Sequence, residues 1–164
     1  MQIHFIADSD REDFSPAIQA YQSIWKQDGE KIVAVWETTA DLTFQESEIN
    51  AVVFRGISHS HPMALRDNLD TERKKSVLVH ELGHRLLYGR VNQPNFSSLE
   101  NHKTLFLVLY DVFVALYGES FADSAVAWDK QLPRDTYEQA WEWAMRFSKE
   151  ARKHEFAKRI RVAA

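Results

Sequence analysis

Two histidines one helical turn apart, with a glutamate beside the first, are the residues of this chain best suited to chemistry. They lie in the segment His80-Glu81-Leu82-Gly83-His84. On a helix, residues four apart stand one above the other on one face, so both imidazoles can reach one Zn²⁺ at about 2.0–2.1 Å. Glu81 lies one position further round, where it can reach a metal-activated water without binding the ion. The pattern predicts zinc bound by His80 and His84, with Glu81 as the catalytic base.

The composition is consistent with a metal site built without sulfur. The chain has 164 residues, no cysteine and seven histidines, five of which lie between residues 59 and 102. Without thiolates, a transition metal can be bound only through imidazole and carboxylate groups. The same absence excludes a disulfide scaffold and a Cys-ligated zinc finger. By chance, a chain of this composition would contain only about 0.02 matches to the five-residue pattern.

The segment Val77–His84 resembles the active-site helix of the zincin metallopeptidases. The resemblance implies zinc held by the two histidines, with the glutamate as base and proton shuttle. It also implies a small N-terminal sheet, then the active-site helix, then a helical C-terminal part that carries the third ligand. The position after the second histidine is usually uncharged in that family and here is Arg85. We expect this arginine to face solvent or to pair with an acid such as Asp111. Its charge affects which substrates the resemblance implies more than it affects the implied metal binding.

A catalytic zinc site needs a third protein ligand and an open position. His102 is the first candidate, because it lies 18 residues after His84 in the first turns of the next predicted helix, a spacing that suits a short return. Glu119 is the alternative, because it opens a Glu-x-x-x-Asp pattern similar to the glutamate helix of one zincin branch. Glu100 and Asp111 are further candidates.

Two more histidines, His59 and His61, flank Ser60 just before a proline. In strand geometry, residues two apart point to the same side, so the pair could line a cleft beside the predicted active-site helix. Histidines in such a polar segment are more often surface residues, and this is the interpretation that we favour.

The first third of the chain is typical of a small sheet with one helix. Short runs rich in β-branched and aromatic residues predict strands, and apolar residues at helical spacing predict a helix. We expect the sheet to be mixed or antiparallel. The predicted elements are strands at Ile3–Ala7, Lys31–Thr38 and Ala51–Phe54, a helix at Phe14–Trp25, a turn at Asp28-Gly29, and an edge strand or loop at Arg55–Arg66.

The rest of the chain is typical of a helical layer, with capping residues and glycines at the helix ends. The predicted helices run from Asn68 or Asp70 to about Tyr88, from Ser97 or Ser98 to Tyr117, from about Glu119 to Lys130, and from Pro133 and Asp135 through Ala151. The predicted fold is α+β. We expect one zincin-like domain over residues 1–164, with a sheet-containing part at about 1–66 and a helical part carrying the metal site at about 67–164.

The formal net charge of −4 and the pI of about 6.0 do not suit a general nucleic-acid binder. Residues 1–66 carry five Lys and Arg against ten Asp and Glu, whereas residues 144–164 carry seven against two. We interpret the basic end as the solvated face of a terminal helix, the alternative being contact with nucleic acid or an acidic partner. The chain shows no signal-like N-terminus and no apolar run near the ~18 residues of a membrane span, so we expect a cytoplasmic protein.

The sequence therefore predicts a zinc-dependent hydrolase, most simply a metallopeptidase that acts on a peptide or protein. The alternative is a zinc-binding regulatory or interaction module of the same fold with little general proteolytic activity. Both interpretations require Zn²⁺, and they differ in whether the bound metal serves hydrolysis.

Overall fold

The computed structural model describes residues 1–9, 13–91, 97–133 and 135–160. Within these residues six helices and three strands form a mostly helical structure with a small sheet, so the predicted α+β class is confirmed. Two compact units, Met1–Leu86 and Leu87–Ala164, divide the chain. The single zincin-like domain stays a prediction. The elements are β1 (Gln2–Ala7), α1 (Ser15–Ala40), β2 (Glu48–Phe54), β3 (Met63–Arg66), α2 (Thr71–Leu87), α3 (Ser98–Tyr117), α4 (Glu119–Lys130), α5 (Asp135–Ala144) and α6 (Lys149–Arg159).

All three strands run parallel, so the prediction of a mixed or antiparallel sheet is wrong. The order is β1-β2-β3, with Phe5 opposite Ala51 and Ala51 opposite Met63. The reason lies in the first connection. Because α1 leads the chain from the end of β1 back to the start of β2, the two strands enter the sheet in the same direction.

The predicted strand Lys31–Thr38 and the predicted turn Asp28-Gly29 both lie inside α1, so both predictions are wrong. The β-branched and aromatic residues of this segment favour a strand locally. However, Ile32, Trp36 and Ala40 repeat every four residues, are buried, and continue the buried stripe of the first half of the helix. Burial of one long apolar face outweighs the local preference.

Gly29 lies in the middle of α1 because a side chain there would meet the indole of Trp25. A Cβ built on Gly29 would lie 2.8 Å from the Trp25 ring. A glycine inside a helix costs about 1 kcal/mol relative to alanine. Here it allows the indole to lie close against the helix backbone, so the glycine marks a close contact rather than a turn.

The helix that carries the predicted site, α2, is anchored within the first unit. Trp36 is fully buried and donates its Nε1–H to the backbone carbonyl of Val79 at 3.1 Å. At the start of the helix, the Asp70 carboxylate accepts the Arg73 N–H at 2.8 Å, so the cap is Asp70, one of the two residues that the sequence allows. Gly89 follows the last turn with a φ of 72°, so the predicted helix end is also confirmed.

In the second unit, α3 is the central apolar helix. Ser97 caps it by accepting the Glu100 N–H at 3.2 Å, and Gly118 ends it with a φ of 89°. All residues from 104 to 109 are buried. In the part of the chain that the structure describes, no helix combines the length and apolar character needed to cross a membrane.

The long C-terminal helix predicted from Pro133 is two helices, α5 and α6, so that prediction is wrong. The predicted helix ran through Ser148 without a break. Its hydroxyl instead accepts the Ala151 N–H at 3.3 Å and begins α6. A serine can cap a new helix while the apolar residues on either side of it keep their helical spacing. The sequence pattern therefore does not show where one helix ends and the next begins.

Candidate metal centre

His80 and His84 face each other on α2. Their Nε2 atoms are 3.1 Å apart and their ring centroids 4.9 Å apart. Two nitrogens that bind one tetrahedral zinc at about 2.0–2.1 Å lie roughly 3.3 Å from each other. The pair therefore has about the separation that a shared ion requires, on a helix face where residues four apart are neighbours.

His102, in the first turns of α3, belongs to the same cluster. One ligand atom from each of His80, His84 and His102 lies within 4.8 Å of the others. Among the described residues, this is the group of histidine and acidic side chains placed to hold a metal ion. Three histidines are therefore close enough to bind one ion, while zinc as that ion and these residues as its ligands stay predictions.

The second ring nitrogen of His102 is already engaged. Nδ1 lies 2.7 Å from the backbone carbonyl oxygen of Ser98, one turn earlier in α3. Because a carbonyl only accepts, Nδ1 must carry the proton and donate it, so that Nε2 is the ring nitrogen that carries the lone pair. Metal-binding histidines commonly have such a partner, which fixes tautomer and orientation.

Glu81, the residue after His80 in α2, is buried, with 5% of its surface exposed. Its charge acts within the first unit on Tyr21. Burial, together with the carboxylates of Glu81 and Asp67, raises the pKa of Tyr21 well above its ordinary value. The Tyr21 hydroxyl stays protonated and donates to the Arg66 carbonyl at 2.8 Å. A carboxylate excluded from bulk water next to two candidate ligands is suited to proton transfer.

The carboxylates considered as third ligands are not among the three described residues of the cluster. Glu119 is exposed at the first residue of α4 and is not among the three clustered residues. Asp111 accepts hydrogen bonds from Arg152 at 3.0 and 3.1 Å. Glu100 accepts from Lys103 at 2.7 Å and from Arg159 at 3.2 Å. Asp111 and Glu100 thus have cationic side chains as partners, which explains their placement without a metal ion.

Arg85 pairs with an acid, one of the two alternatives that the sequence left open, but the acid is Glu46 and not Asp111. Its guanidinium donates to the Glu46 carboxylate and to the backbone carbonyl of Ser60. The Nε–Oε2 distance to Glu46 is 2.8 Å, and the Arg85 side chain is only 11% exposed. The charge next to His84 therefore ties α2 to two loops of its own unit, which accounts for an arginine at this position.

His59 and His61 lie in the exposed segment before β3 rather than in a strand. The His59 Nδ1 lies 2.6 Å from the Pro62 carbonyl oxygen, and the His61 Nδ1 lies 3.0 Å from the Ser60 Oγ. Partial burial and the nearby Arg85 charge lower the pKa of His61. Neither residue joins the described metal cluster, in keeping with the surface role favoured from sequence.

The basic C-terminal helix is only partly a solvated face. Arg152 is buried and pairs with Asp111, and Arg159 lies over the Trp143 ring at 4.4 Å. These two cations hold α6 against its own unit. Arg161, counted with the basic end, lies outside the described residues. The exposed cations are Arg146, Lys149, Lys153 and Lys158.

Sequence reasoning did not identify the groups that orient His102. Ser98 could have been found, because it lies four residues earlier on the same predicted helix face. Tyr137 lies against the His102 ring with centroids 4.4 Å apart but comes from α5, and no local sequence signal connects it to His102.

Comparison with known proteins adds no relative. No protein-family model matches the chain. Neither a curated protein nor a solved structure matches it. The residues and their geometry are therefore what indicates a function.

Proposed function

We propose that this protein is a zinc-dependent hydrolase of zincin type, most simply a metallopeptidase. One observation carries the proposal: the His80 and His84 Nε2 atoms lie 3.1 Å apart in one helix that also carries the buried carboxylate of Glu81. His102 supplies a third imidazole to the same cluster. This is the residue set that a zinc hydrolase requires.

The donor set fits zinc in a catalytic rather than a structural role. Structural zinc sites are closed by four protein ligands, whereas catalytic sites use three and leave one position open. The described cluster offers three nitrogens and no sulfur. When bound, zinc would supply Lewis-acid chemistry by lowering the pKa of a water to about 7 and polarising a substrate carbonyl.

The histidines and Glu81 have different roles in this proposal, metal binding and proton transfer. His80 and His84 are held one above the other by α2, whose opposite face is buried through Leu78 and Leu82. His102 presents its Nε2 because Nδ1 donates to the Ser98 carbonyl. Glu81 takes the proton from the attacking water and passes it to the leaving amine, so one carboxylate acts first as base and then as acid.

Replacement of Glu81 by glutamine tests the catalytic role. Glutamine keeps the size of the side chain but cannot take up a proton, so Glu81→Gln should retain zinc and lose hydrolysis by roughly 10²–10⁴-fold. Zinc content and cleavage of unfolded proteins and peptide libraries are measured on the same preparations. Glu72→Gln is the matched control, because Glu72 lies in the same helix but pairs with Lys75 at the surface.

Two outcomes would contradict the proposal. Equal hydrolysis by the wild type and Glu81→Gln would remove Glu81 from the mechanism. A wild-type protein that binds zinc yet cleaves nothing in these libraries would favour the alternative, a zinc-binding regulatory module.

A further inference from the structure

The imidazole of His102 is restrained by more than the helix that carries it. The residue is 7% exposed. Tyr137 lies against its ring with planes inclined by 48°, and Phe106 makes an edge contact with centroids 5.5 Å apart. With Nδ1 hydrogen-bonded to the Ser98 carbonyl, the ring is fixed at one edge and packed against two aromatic neighbours.

Tyr137 comes from a different helix than His102, unlike Ser98 and Phe106. Ser98 and Phe106 lie four residues before and after His102 in α3, so helical geometry alone places them beside it. Tyr137 reaches the imidazole from α5. That helix is fixed by Trp141, which is fully buried and stacks on Phe106 with centroids 3.9 Å apart and planes within 12°. The restraint from Tyr137 therefore depends on how α5 packs on α3.

We propose that Tyr137 is a positioning residue for the third metal ligand. Its ring holds the His102 imidazole in the rotamer in which Nδ1 donates to Ser98 and Nε2 is presented to the ion. The proposal rests on the zinc site of the proposed function. A ligand ordered before the ion arrives loses less rotamer freedom on binding, so removal of the restraint weakens the affinity.

Zinc affinity, measured by competition with a chromophoric chelator, tests this role. Tyr137→Ala should bind zinc about 10–100-fold more weakly, the usual effect of losing a group that orients a ligand, whereas Tyr137→Phe should stay within about twofold of the wild type. Trp143→Ala is the control, because Trp143 is also an aromatic residue of α5 but lies against Arg159.

A second measurement needs no metal. In ¹H–¹⁵N spectra of the zinc-free protein, His102 should show one Nδ1-protonated tautomer in the wild type and in Tyr137→Phe, and a mixture in Tyr137→Ala. Circular dichroism establishes that each variant is folded. If the alanine variant is not, Tyr137→Leu replaces it, because leucine keeps apolar bulk for the fold without the flat ring.

Unchanged zinc affinity and an unchanged tautomer in the ring-deleted variant would overturn the role of Tyr137. A phenylalanine variant as weak as the alanine variant would overturn it too, because the ring face would not then be the restraint. Both results leave zinc binding by the wild type in place. A wild-type protein that binds no zinc would instead overturn the proposed function, and this inference with it.

Discussion

The three candidate ligands reach their positions by different means. His80 and His84 are placed by one turn of one helix, and their Nε2 atoms already lie 3.1 Å apart. His102 depends on contacts of its own, a hydrogen bond from Nδ1 to Ser98 and ring packing against Tyr137. We therefore expect the first two imidazoles to tolerate changes around them better than the third.

We expect Asp129, in α4, to make the free energy of unfolding depend on pH. Burial raises the pKa of Asp129 from 3.8 to about 7, although its Oδ2 accepts the Trp141 indole N–H at 2.9 Å. Between about pH 4 and pH 7 the folded state thus holds a proton that the unfolded state gives up. This contribution to the free energy of unfolding falls as pH rises through that range, and the loss is complete above pH 7.

Asp129→Asn should remove this pH dependence, because the amide oxygen can still accept the indole N–H and no charge has to be buried. Urea unfolding of the zinc-free proteins at pH 5 and pH 8 measures the effect. The free energy of unfolding should drop less between the two pH values in the variant than in the wild type. Asp135→Asn, at an exposed position, is the control. An equal drop in the wild type and Asp129→Asn would refute the assignment.

At the scale of elements, Arg85 links α2 to two loops of its unit, through the Glu46 carboxylate and the Ser60 carbonyl. Loss of hydrogen bonds to charged, partly buried groups costs about 1.5–3 kcal/mol. Arg85→Ala should therefore lower the free energy of unfolding by roughly this amount, as measured by urea denaturation.

The matched variant is Lys75→Ala, in the same helix. Lys75 pairs with Glu72 at the surface, and such pairs contribute about 0–1 kcal/mol. The contrast between the two variants separates the specific contacts of Arg85 from the general loss of a cation. Equal effects would show that the Arg85 contacts add nothing particular to stability.

Over the whole molecule, the sequence predicted best the features that depend on residues close together in the chain, such as helix ends and side chains on one helix face. The bounds of α2 follow from Asp70 and Gly89, and the orientation of His80 toward His84 follows from their spacing. Spacing left the third ligand open between His102 and Glu119. Among the described residues His102 is in the cluster with His80 and His84 and Glu119 is not, and no fixed interval in the sequence indicates that difference.

The same limit explains the error in the sheet. The segment Lys31–Thr38 has the composition of a strand. When it is predicted as a strand, the helix before it becomes too short and the helical crossover between β1 and β2 is lost. A continuous helix from Ser15 to Ala40 makes those strands parallel. The four-residue spacing of Ile32 and Trp36 was the sequence signal for a helix. It outweighs the local preference of these residues for a strand, because a helix buries the whole apolar face.

The most direct test of the account is the zinc content per chain of the wild type, His102→Ala and Glu119→Ala, measured by mass spectrometry after purification in zinc. The account predicts one zinc in the wild type and in Glu119→Ala, and little or none in His102→Ala, because three imidazoles form the cluster. A wild-type chain without zinc, or loss of zinc from Glu119→Ala alone, would contradict it.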